Sequence, residues 1–189
     1  MNGTKFDKDK LQLELLALNF IDWLECQKVD MTFQARLVLE WMDCFFFRGG
    51  DINDLKECLN ILLEMEADID AQIINALEFG AEKYAAWNYT QGLKYSRTLG
   101  AFRRHIWGWL KGENDPETGL SHLAHAACNV LFLVEYEKRE LNECDDRPLN
   151  SESSNTGPEP LTFDNVRILG RLDLSEEERD ISLGSTWEL

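Results

Sequence analysis

The sequence predicts an all-α fold: a helical bundle of about six helices with an acidic, mostly irregular C-terminal extension. Three observations carry this. Apolar residues recur at three- and four-residue spacing through six segments between Leu11 and Arg139. Helix punctuation separates those segments, with Ser121 as a cap and Gly49-Gly50 as a stop. After residue 148 the composition turns to NSESSNTGPEP, which has little to bury. The domain organisation expected is therefore 1–148 for the helical domain and 149–189 for an acidic linker and tail.

Leu11 to Glu25 is densely apolar and reads as a buried helix. Thr32 to Arg48 is a second helix, with Phe33, Leu37, Trp41, Met42 and Phe45 at helical spacing; the glycine pair ends it because glycine takes the left-handed conformation at little cost. Asp54 to Glu57 reads as a capping box opening a third helix that runs to about Glu66. Glu64, Glu66, Asp68 and Asp70 read as a solvated helix end. Ile69 to Tyr84 is a fourth helix, and Trp87 to Gly92 a connection with Gly92 as its hinge. Arg97 to Leu110 is a fifth helix. Asp115-Pro-Glu-Thr-Gly119 has the composition of a turn, and Ser121 can cap a sixth helix reaching about Arg139. Further on, LTFDNVRILGRLDL suits one or two short strands or a segment folded back on the helices; the acidic end reads as a solvated tail or a partner-binding peptide.

The formal net charge of −16 argues against general affinity for nucleic-acid backbone, because summed negative charge repels phosphate. Residues 140–189 alone carry a net −9. Five cysteines without a C-x-x-C pair suggest reduced thiols rather than a disulfide framework or zinc knuckle. MNGTKFDKDK has no apolar core of a secretory signal, and no apolar run approaches the ~20 residues needed to span a bilayer. A cytoplasmic protein, inside a host cell if phage-encoded, is the expectation.

Against this acidic background, Lys83 to Gly112 contains no Asp or Glu but holds Lys83, Lys94, Arg97, Arg103, Arg104 and Lys111. Glu113, Asp115 and Glu117 follow at once, and all three histidines, His105, His122 and His125, lie close by. His122, His125 and Asn129 share one helical stripe. Mixed oxygen and imidazole donors suit Mn²⁺ and tolerate Mg²⁺. Arginine and lysine match phosphate oxygens, and Trp87, Tyr89, Tyr95, Trp107 and Trp109 offer faces for a base or, equally, a core. A rival acidic set, Asp22/Glu25 and Glu40/Asp43, imitates the ExxE and ExxD carboxylates of MazG-like all-α nucleoside triphosphate pyrophosphatases, with Asp in place of the first Glu. No P-loop, G-x-G-x-x-G, G-x-S-x-G or adjacent His-Asp dyad is present.

The runs FGAEKYAAWNYTQG, AFRRHIWGWLKGENDPETGLSHLAHAACN and DDRP, with the opening GTKFDKDKLQLELL, resemble the phage-associated dATP/dGTP diphosphohydrolase family, a MazG-like all-helical group. Tyr89 stands where Trp is usual, Thr118 where Ser is usual, and Leu11-Gln12 where Pro-Arg is usual. Helices at 17–72 occupy a place where a short link is expected, so they read as an insertion within the domain.

The resemblance implies hydrolysis of a purine deoxynucleoside triphosphate to monophosphate and pyrophosphate, with Mg²⁺ or Mn²⁺ as cofactor. On that basis Glu113, Asp115, His122 and His125 are the candidate metal ligands, with Glu117 a weaker one. Glu113 and His122 are the catalytic candidates, and Lys83, Asn88, Arg104, His105 and Asn129 the substrate-binding ones. The expected partners are the nucleotide, further copies of the chain in a homo-oligomer, and a protein for the inserted helices or tail; nucleic acid and membrane are not expected. The alternative is a non-catalytic phage-type interaction or inhibitor protein, or a nucleotide sponge, on the same scaffold.

Overall fold

In the computed structural model the described residues are 10–148, without the side chains of 17–19. They fall within a compact unit spanning Met1–Gly157; the second unit, Pro158–Leu189, lies outside the described residues, as do the strand and tail readings made for it. Among the described residues there are six α-helices and no strand: α1 (Phe20–Cys26), α2 (Phe33–Phe47), α3 (Ile52–Glu64), α4 (Ile69–Tyr84), α5 (Tyr95–Leu110) and α6 (His122–Lys138). Short 3₁₀ turns cover Leu13–Asn19, Asn88–Gln91 and Asn142–Cys144.

Helix α6 is the centre of the bundle and packs against α3, α4 and α5. Its sequence allows this because Leu123, Ala124, Ala126, Ala127, Val130 and Leu133 bury surface on nearly every side. The alanines let neighbouring helices approach closely. Helix α2 packs on α3, and the 3₁₀ turn at Leu13–Asn19 packs on α5.

Helix α2 is capped as its sequence indicates: the Thr32 side chain accepts from the Ala35 amide. The box opening α3 lies three residues earlier than expected. Asp51, not Asp54, is the cap; Asp54 is the reciprocal partner and accepts from the Asp51 amide at 2.6 Å. An acidic pair three apart occurs twice in this stretch, and the pair next to the glycine break is the one used.

The segment from Leu11 differs more. It is not one buried α-helix: only Phe20–Cys26 is α-helical, the preceding residues form a 3₁₀ turn, and Leu11 and Leu15 are 57% and 75% exposed. The carbonyls of Leu11 and Leu13 accept from Arg104 and Arg103, which draws this backbone toward α5 instead of leaving it in an α-helical ladder. Gly92, read as a hinge, is a point of close approach. Its φ is +80°, and a Cβ there would lie 2.5 Å from the Cys144 sulfur.

Arg103 ties α1 and α2 to α5. Its side chain is fully buried, donates to Asp43 at 2.7 Å and to the Leu13 carbonyl at 2.9 Å, and lies over the rings of Phe20 and Phe47. Burial pushes the Asp43 carboxyl upward while Arg103 pulls it back down. Two members of the rival acidic set are thereby engaged: Asp43 holds Arg103, and Glu25 pairs with Arg36.

Candidate metal and nucleotide site

Helices α5 and α6 run into a turn built around Asp115. One carboxylate oxygen, Oδ1, accepts from the Glu117 amide at 3.1 Å, the Thr118 amide at 3.0 Å and the Thr118 hydroxyl at 3.1 Å. Gly119 closes the turn at φ +73°, with its amide on the Asp115 carbonyl. Burial acts to raise the Asp115 carboxyl, but the Thr118 hydrogen bonds and the nearby His125 more than offset it and hold it below the usual range.

The start of α6 is fixed from two sides. Ser121 accepts from the Leu123 amide, and its hydroxyl donates to Glu66 at 2.6 Å. The Ser121 amide donates to Gln72 at 2.8 Å. Glu66 is thus part of the support for α6, not a residue of a solvated helix end. Nothing local in the sequence links it to Ser121, because the contact joins residues far apart along the chain.

This frame brings the three histidines together. His105 Nδ1 and His122 Nδ1 lie 3.0 Å apart, and the His105 and His125 rings stack with centroids 4.9 Å apart. His122 Nδ1 is 3.9 Å from one Asp115 oxygen, and His125 Nε2 is 3.9 Å from the other. Thr118 Oγ1 and His125 Nε2 are 2.8 Å apart. Thr118 Oγ1 thus reaches both Asp115 Oδ1 and His125 Nε2 with one proton; when that proton is donated to Asp115, His125 carries its own on Nε2 and Nδ1 is the acceptor. Burial lowers the pKa of both His122 and His125, against the pull of Asp115, which favours their neutral forms.

The donor atoms of His105, Asp115 and His122 all lie within 4.8 Å of one another, and among the described residues this is the grouping able to hold a metal ion. It fits one: two imidazole nitrogens 3.0 Å apart can both reach a cation at about 2.1 Å, beside the Asp115 carboxylate.

A cavity of about 190 Å³ opens beside this group. Its walls include His105, Asp115, Thr118 and His125 on one part, and Lys83, Trp87, Asn88, Tyr89, Asn129 and Phe132 on others. Tyr89 and Phe132 stack at 4.6 Å. Lys83 pairs with Glu117, and that hydrogen bond raises the lysine's pKa. Asn129 donates to the His125 carbonyl at 2.7 Å. Two residues of the cavity wall have positive φ without being glycine: Ala85 at 95° and Trp87 at 63°.

Of the residues singled out in sequence, Asp115 and His122 fall in the donor group, joined by His105, which was read as a phosphate ligand. His125 sits against Asp115 and Thr118. Lys83, Asn88 and Asn129 line the cavity. Glu113 stands outside the donor group, exposed, with its carboxylate 3.9 Å from Lys111. Arg104 does not line the cavity; it reaches back to the Leu11 carbonyl and lies 3.9 Å from Glu14. Tyr95 is buried against Phe45 and Tyr136, and Trp107 packs edge-on to Trp23. Lys10 and Thr118 escaped the sequence reading as site residues. The Asp-x-x-Thr spacing, which suits a side chain capping its own turn, is the signal that could have found Thr118.

Fold and site together define an all-α protein with a His/Asp donor cluster beside an aromatic cavity. Residues 54–147 match the family model described as dATP/dGTP diphosphohydrolase, N-terminal, which supports the resemblance seen in the sequence. The match takes in nearly all of α3, the whole of α4, α5 and α6 and the His/Asp donor group, and begins beyond α2. A dATP/dGTP diphosphohydrolase of Salmonella phage PMBT28 is 41% identical over 63 residues, covering 33% of this chain and 21% of that relative. The chain therefore matches about a fifth of the relative's length. No solved structure matches. Among the described residues, no helix is long and apolar enough to cross a membrane.

Proposed function

We propose that this protein is a metal-dependent nucleotide pyrophosphohydrolase that converts a purine deoxynucleoside triphosphate, dATP or dGTP, to the monophosphate and pyrophosphate. The observation that carries the reading is the meeting of His105, Asp115 and His122 in one donor group, of which His105 and Asp115 line a cavity that also holds Lys83 and a stacked Tyr89–Phe132 pair. The family match and the name of the phage relative supply the substrate class.

In this reading His105, Asp115 and His122 would hold Mg²⁺ or Mn²⁺, which would supply charge neutralisation at the phosphates and acidify the water. The Thr118 and Glu117 amides keep Asp115 ionised and fixed in orientation. Lys83, at the C-terminal end of α4, faces the phosphates, and Asn88 and Asn129 contact base or sugar, with aromatic faces nearby for stacking. His125 Nδ1 accepts a proton from the attacking water while its Nε2–H stays on Thr118. The water oxygen bonds to the α-phosphorus, the bond to the α–β bridging oxygen breaks, and pyrophosphate leaves with that electron pair.

The test is direct. The protein is incubated with each dNTP and Mg²⁺ or Mn²⁺, and the products are separated by anion exchange. Monophosphate and pyrophosphate from dATP or dGTP are expected. No turnover with any nucleotide overturns the proposal, and tight binding without turnover replaces it with sequestration.

A further inference from the structure

We propose that Lys10 is a phosphate-contacting residue of the cavity and that Arg103 and Arg104 are the positioning residues that strap it there. The inference deepens the reading above and rests on it for the anion, a triphosphate chain.

The cavity is lined by two cations, Lys10 and Lys83. Lys83 is engaged by Glu117 and lies near the rings of Phe79 and Tyr84, at 5.7 and 5.3 Å. Lys10 has no hydrogen bond or ion pair among the described residues, and its charge bears on His125 across the cavity wall. Asp115 and Glu117 place two carboxylates in the same wall, so phosphates entering there meet a repulsion that one engaged lysine does not offset. An unengaged lysine in that wall supplies the missing positive charge.

What holds Lys10 in place is the pair of consecutive arginines on α5. Arg104 donates to the Leu11 carbonyl and lies 3.9 Å from the Glu14 carboxylate. Arg103 donates to the Leu13 carbonyl at 2.9 Å and is itself anchored by Asp43. The backbone just after Lys10 is therefore gripped at alternate carbonyls. Apolar burial does not do this at its leading edge, since Leu11 is 57% exposed. The arginines that look in sequence like phosphate ligands thus act one step removed: they deliver a lysine.

The experiment measures binding of inorganic tripolyphosphate, and of deoxyadenosine as the uncharged control, by calorimetry on the full chain without added metal. Lys10→Ala should weaken tripolyphosphate about tenfold, the loss of one charge-assisted contact. It should leave deoxyadenosine unchanged, and Lys10→Arg should restore most of the loss. Arg104→Ala should reproduce the deficit, and adding Lys10→Ala to it should cost little more, because both remove one contact. Should Arg104→Ala unfold, Arg104→Met keeps the aliphatic stem and removes the donors. In turnover, Lys10→Ala should raise KM for the dNTP with kcat little changed.

Wild-type affinity for tripolyphosphate in Lys10→Ala overturns the assignment, as does absence of tripolyphosphate binding by the wild type. Additive losses in the double variant overturn the strap. Hydrolysis with an unchanged KM in Lys10→Ala removes the lysine and leaves the proposed reaction standing. Lys10-dependent tripolyphosphate binding without hydrolysis removes the reaction and leaves the anion subsite.

Discussion

His105 Nδ1 lies 3.0 Å from His122 Nδ1, a separation at which one of the two nitrogens must carry a proton. A cation between them would take the proton's place, so the hydrogen bond and the ion are alternatives at one position. Replacing either ring by alanine removes half of this pair. His105→Ala and His122→Ala should each lower Mn²⁺ affinity, measured by calorimetry, by more than about 100-fold, since a direct ligand matters at least as much as the residues that orient one. Helical content by circular dichroism should be retained. An unchanged affinity in both variants would rule out this pair as the cation site.

Gly108 offers a probe of the same pair that leaves every donor atom in place. A Cβ at this position would come within 2.6 Å of His122 Nε2, so the imidazole must move to accommodate it. Gly108→Ala should reduce Mn²⁺ affinity about tenfold while changing the thermal midpoint little, because alanine favours the helix. A variant that binds Mn²⁺ as the wild type does would mean that the His122 ring position is not critical.

The Arg103–Asp43 pair is fully buried, and breaking it strands a charge. Asp43→Ala should destabilise the protein by about 3–5 kcal/mol in urea denaturation. The double variant Asp43→Leu/Arg103→Met should be less destabilised than Asp43→Ala, since neither partner is then left alone. Equal stability of Asp43→Ala and wild type would contradict the burial described here.

Thiol chemistry checks the core. Cys26 is exposed, whereas Cys44, Cys58, Cys128 and Cys144 are buried. Burial pushes the Cys128 thiol up to about 12, so its place in the cavity wall does not make it reactive. Iodoacetamide at pH 8, followed by mass spectrometry, should label Cys26 quickly and the other four only after unfolding. Rapid labelling of Cys128 in the native protein would count against this environment.

Acid stability should depend on Asp145. Burial acts to raise its carboxyl, but hydrogen bonds from Arg147, at 2.9 Å from Nε and 2.7 Å from Nη2, more than offset this and lower its pKa. A carboxylate with a folded-state pKa below its unfolded value of ~3.9 gives stability that is present above that value and is lost as pH falls through the folded one. Arg147→Ala should therefore lower stability at pH 7 and flatten its pH dependence below about pH 4. Thermal melts across pH 2–7 read this out, and identical profiles would refute the coupling.

Much of the helical architecture was legible because periodicity and capping are local. Helix α4 follows its apolar spacing from Ile69 to Tyr84, and Ser121 caps α6 as its position before an apolar run indicates. The first segment was not legible, because two arginines about ninety residues away decide its backbone path. The same holds at the site. Asp115 and His122 were visible from one short stretch, but which way Arg104 turns from His105 is decided by where Leu11 lies. Sequence spacing gives which residues share a helix face; it does not give what packs across from that face.

The positive φ at Ala85 has a consequence for how this protein can change. An alanine at φ 95° and ψ 149° occupies a region that glycine enters far more cheaply, at a cost on the order of 1–3 kcal/mol. A single codon change to glycine would relieve that strain, yet it would also free the Trp87–Tyr89 stretch to sample other paths beside the cavity. The loop is held in one shape at the expense of thermal robustness, so stabilising substitutions there should come with a less defined cavity wall.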